Sequence, residues 1–142
     1  MNGMTRTTLA TLTCASLAAA LPAFSMSASD LPVEKTEGAV SYLTGGIGSD
    51  EALAMRQEQG KYPLSLEFVQ RAKPRDEFLA DVGVTIQDAK GNTALSTRSE
   101  GPFLLARLPD GKYTVRVDSV GRSETRNVNV SASTPQHVVF EF

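Results

Sequence analysis

His137 is the chain's one histidine and Cys14 its one cysteine, and these two residues bound most of the chemistry that 142 residues could carry. A zinc site needs three or four converging His, Cys or carboxylate ligands, so a lone histidine cannot anchor one. A single histidine with no nucleophile beside it also lacks the partners that acid–base or nucleophilic catalysis requires. In an extended segment Gln136, Val138, Phe140 and Phe142 share one face while His137, Val139 and Glu141 share the other. His137 is therefore expected on the solvent side with Glu141, opposite the apolar set. Asp81, Asp88, Asp110 and Asp118 lack the dense alternating spacing of a calcium loop and read as turn and strand-end residues. Tyr42, Tyr62 and Tyr113 are too scattered for a sugar-stacking platform, and there is no tryptophan. No residue is assigned a catalytic, cofactor-binding or metal-ligating role, and no cofactor is expected.

One local pattern remains as a candidate site. Gly45, Gly46 and Gly48 lead into Ser49, Asp50 and Glu51, and glycine-rich backbone opening a helix can turn several N–H groups toward an anion. No Gly-Lys-Ser/Thr follows, Ser49 or Asp50 is available to cap the helix, and the acidic Asp50 and Glu51 would repel phosphate. A flexible turn with an ordinary helix cap accounts for the same residues. Gly45, Gly46, Gly48, Asp50 and Glu51 are carried forward as a candidate interaction surface rather than a phosphate site.

Charge and targeting narrow the partners. The formal net charge is −2 with both signs mixed along the chain, which leaves no basic stripe for nucleic acid. Arg6 followed by the uncharged run Leu9 to Leu21, broken at Pro22, reads as a cleavable secretory signal over residues 1–28, with small residues for cleavage between Ala23 and Ala28. The run is shorter than the roughly 20 apolar residues a membrane-spanning helix needs, and no later segment approaches that length. A periplasmic or secreted product is expected. Removal of the signal takes Cys14 with it, so the mature domain would fold without disulfides on its core alone.

The elements that must position any site follow from periodicity. Residues 29–38 are polar and aperiodic, a disordered lead-in, and folding is expected from Ala39. Val40 to Leu43 is a short strand, and a helix runs from about Ser49 to a stop at Gly60. The period then changes to two: Tyr62, Leu64, Leu66 and Phe68 face one way, Ser65 and Glu67 the other. Val82, Val84 and Ile86 repeat the pattern before the turn cluster Asp88 to Asn92, and a weaker strand covers Thr93 to Thr97. Phe103 to Leu108 is apolar, Pro109-Asp110-Gly111 is a strong turn expected to fold its flanks back on each other, and Tyr113, Val115 and Val117 alternate after it. Gly121-Arg122 marks another tight turn, Val128 and Val130 point inward, and Val138, Phe140 and Phe142 close the chain. Roughly six or seven short strands at a spacing of about ten residues, joined by Gly, Pro and Asp turns, predict an all-β fold over 39–142. Its form is an antiparallel two-sheet sandwich with one short helix inserted before the core strands.

The run Arg107-Leu108-Pro109-Asp110-Gly111-Lys112-Tyr113-Thr114-Val115-Arg116-Val117 resembles the signature of carboxypeptidase regulatory-like domains, which have a transthyretin-like sandwich. Val82 to Asn92 is similar to that family's early strand and turn, and the resemblance covers roughly residues 62–142. It implies a fold rather than an activity. The chain lacks the histidines that the iron-dependent ring dioxygenases of this fold use, and it ends Val138-Val139-Phe140-Glu141-Phe142 where hydroxyisourate hydrolases carry Tyr-Arg-Gly-Ser. The wider pattern, including Gly45 to Glu51 and Tyr62-Pro63-Leu64, also resembles small uncharacterised secreted proteins of Gram-negative bacteria. The expected function is a non-catalytic binding or protein-interaction module of the periplasm, with an envelope protein as partner. The alternative is a domain that binds carbohydrate or another envelope ligand, which a concave patch with exposed aromatics would favour. A less favoured reading is an enzyme built from carboxylates on distant strands.

Overall fold

The computed structural model describes residues 31–142, so the expected signal over 1–28, Cys14 within it, and the first residues of the lead-in lie outside the described residues. The rest is a two-sheet β-sandwich with one α-helix, as the strand periodicity predicts. The first sheet contains β1 (Lys35–Glu37), β2 (Val40–Gly45), β7 (Phe103–Arg107), β3 (Leu64–Gln70) and β10 (Gln136–Glu141) in that spatial order, with the two-residue β4 (Glu77–Phe78) also paired to β3. The second contains β6 (Thr93–Ser99), β5 (Val82–Asp88), β8 (Gly111–Ser119) and β9 (Arg122–Val130). Every pair is antiparallel except β3 with β10, which run parallel with Ser65 beside His137.

Alternation decides the core. Leu64, Leu66 and Phe68 from β3 meet Val82, Val84 and Ile86 from β5 and Tyr113, Val115 and Val117 from β8, joined by Leu104, Val128 and Phe140, all buried between the sheets. Their burial, at about 25 cal/mol per Å² of apolar surface removed from water, is the main force closing the sandwich.

Several local expectations change. Lys35–Glu37, expected within the disordered lead-in, pairs with β2 as a short edge strand, Lys35 opposite Tyr42. Pro109-Asp110-Gly111 does not close a hairpin: β7 and β8 lie in different sheets, so this turn carries the chain across the sandwich. The Tyr113 hydroxyl donates to the Pro109 carbonyl at 2.8 Å and fixes the crossing. The tight turn after β8 is centred on Val120 and Gly121 rather than Gly121 and Arg122, both at positive φ (46° and 72°), which matches the right-handed twist of a two-residue hairpin.

Tyr62 does not join the face of Leu64, Leu66 and Phe68. A short 3-10 turn, Gln59–Lys61, and Pro63 reset the strand start, and Tyr62 packs on the opposite face of the first sheet. There it joins Leu43, Met55, Phe103 and Leu105 in a second, smaller core. This core exists because α1 (Ser49–Glu58) lies over the outer face of the first sheet, with Met55 fully buried beneath it.

Candidate functional site

The glycine-rich loop and α1 form a latch on that outer face. Glu51, in the first turn of the helix, reaches back so that its Oε1 accepts the N–H of Gly46 at 2.7 Å and of Ile47 at 3.3 Å. The backbone donors that could have faced an anion are thus taken by the chain's own carboxylate. The helix N-cap is Gly48, without a side-chain cap, and Ser49 and Asp50 sit inside the first turn, where they replace the expected capping role with a favourable placement of Asp50 near the helix N-terminus. The glycines serve close approach. A Cβ on Gly46 would collide with the Phe103 ring, and one on Gly101 would collide with the Gly45 carbonyl. The structure therefore gathers Gly45, Gly46 and Glu51 into one internal contact and leaves Gly48 and Asp50 exposed.

Four large apolar side chains are exposed on the latch and the segments next to it. Val33 (83% exposed), Ile47 (64%), Leu53 (57%) and Phe78 (51%) stand on the lead-in, the loop, the helix and β4 respectively. Phe78 packs against Phe103 with ring centroids 5.8 Å apart. The Arg56 guanidinium lies 5.4 Å from the Phe78 centroid and 5.5 Å from that of Phe103, and it pairs with Glu67 at 3.8 Å. Arg56 thereby ties α1 to both β4 and β3 through its planar face and its charge.

The lead-in is anchored by a second polar group. The Arg107 guanidinium sits 4.1 Å over the Tyr62 ring, donates to the Lys61 carbonyl at 3.0 Å and lies 3.7 Å from Glu34. Burial pushes the Tyr62 phenol above its ordinary range, the Glu34 carboxylate adds to this, and the Arg107 charge opposes it. A neutral phenol donating toward Glu34 suits that environment.

The parallel pairing of β3 and β10 creates one constellation that the sequence pattern did not reveal. Ser65 Oγ and His137 Nδ1 share a hydrogen bond of 3.1 Å, and His137 Nε2 lies 3.1 Å from Glu67 Oε2. His137 thus faces outward as expected, but its partners are Ser65 and Glu67. Glu141 instead pairs with Arg71. Ser, His and Glu are the residue types of a hydrolytic triad, so the geometry has to be tested against that role. Ser65 is only 1% exposed, and its hydroxyl also lies 3.3 Å from the Gln136 carbonyl. In this arrangement the hydroxyl has no approach for a substrate, and the chain of hydrogen bonds cross-links the two strands. Alternation alone puts Ser65 and Glu67 on one face of β3; the missing information was that β10 lies beside it.

Among the described residues, no group of three or more His, Cys, Asp and Glu side chains is placed to hold a metal ion, and no helix is long and apolar enough to cross a membrane. The outer face of the second sheet carries a shallow hollow of about 330 Å³ lined by Lys112, Thr114, Asn127 and Asn129. It offers amide and hydroxyl groups, but its one aromatic, Tyr113, is turned into the core at 8% exposure.

Fold and surface together define a two-sheet β-sandwich whose first sheet is overlaid by a latched helix. The chain matches no known family model, and no curated protein is significantly similar to it.

Proposed function

We propose that this protein is a non-catalytic, exported binding module that engages a partner protein of the cell envelope through the outer face of its first sheet. The observation that carries the reading is the placement of exposed apolar side chains. Of the five large ones at the described surface, four (Val33, Ile47, Leu53 and Phe78) stand on the segments flanking and covering that face, and the fifth, Val120, sits at a hairpin tip. Apolar side chains exposed together on the segments around one face favour that face as an interaction site. The signal-like N-terminus supports the periplasmic address, and the motif from Arg107 to Val117 supports a carboxypeptidase regulatory-like descent, in which the sandwich serves as a scaffold.

The test compares affinity capture from a periplasmic extract by the tagged protein and by an Ile47→Asp/Leu53→Asp variant whose folding is checked by circular dichroism. A protein recovered by the first and lost with the second supports the reading. Equal recovery by both places the partner elsewhere, and recovery of glycan alone moves carbohydrate binding to the front.

A further inference from the structure

The free edge of the second sheet has a self-complementary pattern. β9 is nine residues long, pairs with β8 in unbroken register from Arg122 opposite Ser119 to Val130 opposite Gly111, and has no partner on its other side among the described residues. Edge strands are usually blunted by shortness, proline, lysine or a bulge. β9 has no proline, lysine or bulge, and its one blunting device is charge: Arg122, Glu124 and Arg126 disfavour a partner strand unless that strand sets opposite charges against them. At the other edge of the same sheet, by contrast, the Ser96 N–H donates to Glu37 Oε2 at 3.4 Å, and Thr97 shares a hydrogen bond of 3.2 Å with the Tyr42 hydroxyl.

The two-residue turn fixes which backbone groups are free. Ser119 and Arg122 close the hairpin as a hydrogen-bonded pair, so Arg122, Glu124, Arg126, Val128 and Val130 turn their N–H and C=O groups toward β8. Ser123, Thr125, Asn127 and Asn129 turn theirs outward. A second β9 can add antiparallel only if these outward residues face one another, which restricts the two-fold axis to a residue position.

Charge and overlap select among those positions, and an axis at Ser123, though it pairs Arg122 with Glu124, brings together only three residues of each β9. An axis at Glu124 sets Glu124 opposite its own copy and Arg122 opposite Arg126, and an axis at Arg126 sets Arg126 opposite itself. An axis at Asn127 leaves Glu124 facing Val130 and Arg126 facing Val128. An axis at Thr125 sets Glu124 opposite Arg126 twice, in non-hydrogen-bonded pairs where side chains approach most closely, with Ser123 opposite Asn127 and Thr125 opposite Thr125 on the other face. Glu124 and Arg126 already lie on one face of β9, 3.6 Å apart, with Arg126 braced 5.1 Å from the Phe140 ring centroid. We propose that β9 is a homodimerisation edge, that the partner is a second copy of this chain, and that the two sheets of four strands join into one continuous sheet about an axis at Thr125. The surface is separate from the face assigned to an envelope partner, and the inference stands without that assignment.

Sedimentation equilibrium of the purified protein over a concentration series tests this, with three variants. Thr125→Pro removes an outward N–H that β8 does not use, so the fold is kept and the dimer is lost. Glu124→Arg puts like charges opposite each other and weakens dimerisation about tenfold or more, as does Arg126→Glu. The exchange Glu124→Arg/Arg126→Glu in one chain restores opposite-sign pairs and recovers most of the affinity. A protein that is monomeric at every concentration overturns the proposal. So does a dimer that survives Thr125→Pro in a folded variant, or one whose single reversals are neutral or whose double exchange is no better than either single.

Discussion

Glu51 accepts the backbone N–H of Gly46 at 2.7 Å and so closes the loop between β2 and α1 upon its own helix. Gly46 is buried, so the donor has little water to turn to if the carboxylate is removed. A hydrogen bond from a backbone donor to a charged acceptor contributes more than a neutral one, and an abandoned donor costs its desolvation. Glu51→Ala is expected to destabilise the domain by about 1–2 kcal/mol and Glu51→Gln by less, since the amide oxygen still accepts. Urea unfolding midpoints measure both. Equal midpoints for wild type and Glu51→Ala would show that the latch contributes nothing.

Met55 is the helix's one fully buried side chain, set among Leu43, Tyr62, Phe103 and Leu105. Of the other apolar residues of α1, Ala52 is only partly buried against this core and Leu53 faces solvent, so docking of the helix depends on Met55 far more than on a continuous apolar stripe. Met55→Ala is expected to cost about 2–4 kcal/mol by lost burial and the cavity left behind. Hydrogen exchange should then show α1 and the Gly-rich loop opening before the sandwich itself. If the helix amides keep their protection, Arg56 and Glu51 suffice to hold α1 in place.

Which residues enter the main core was legible because a period of two is a local property: Val82, Val84 and Ile86 name their own face without reference to any partner. Who lies beside whom is not local. Ser65 meets His137 across a sequence distance no turn signal spans, through a parallel pair that only the finished sheet defines. The same limit explains Pro109 to Gly111, where turn chemistry announces a reversal but not whether the chain returns to its own sheet or crosses to the other. Tyr62 follows the even-numbered face on paper, yet the 3-10 turn and Pro63 before β3 send it under the helix. In the candidate site, the glycines and Glu51 were visible as residue types, whereas the close packing around the glycines involves Gly101 and Phe103, which arrive from the turn before β7 and from its first residue.

The turn between β5 and β6 gives the fold a defined response to acid. Asp88 Oδ1 accepts the N–H groups of Lys90 and Asn92, each at 2.9 Å, and these contacts, led by Asn92, hold its carboxyl below the usual range. Asp118 is lowered chiefly by the Ser123 hydroxyl and then by Arg116, and Asp81 by Arg98. For each of these groups the folded pKa lies below the unfolded one, so the contribution is fully present above the unfolded value of about 3.9 and is lost as pH falls through the folded value. Stability is therefore expected to be flat near neutral pH and to decline below about pH 4. Asp88→Asn keeps an acceptor in the turn but removes one titrating charge, so its acid decline should be shallower than that of the wild type. Thermal unfolding followed by circular dichroism through the acid range provides the comparison, and parallel curves would mean that the Asp88 turn does not couple protonation to folding.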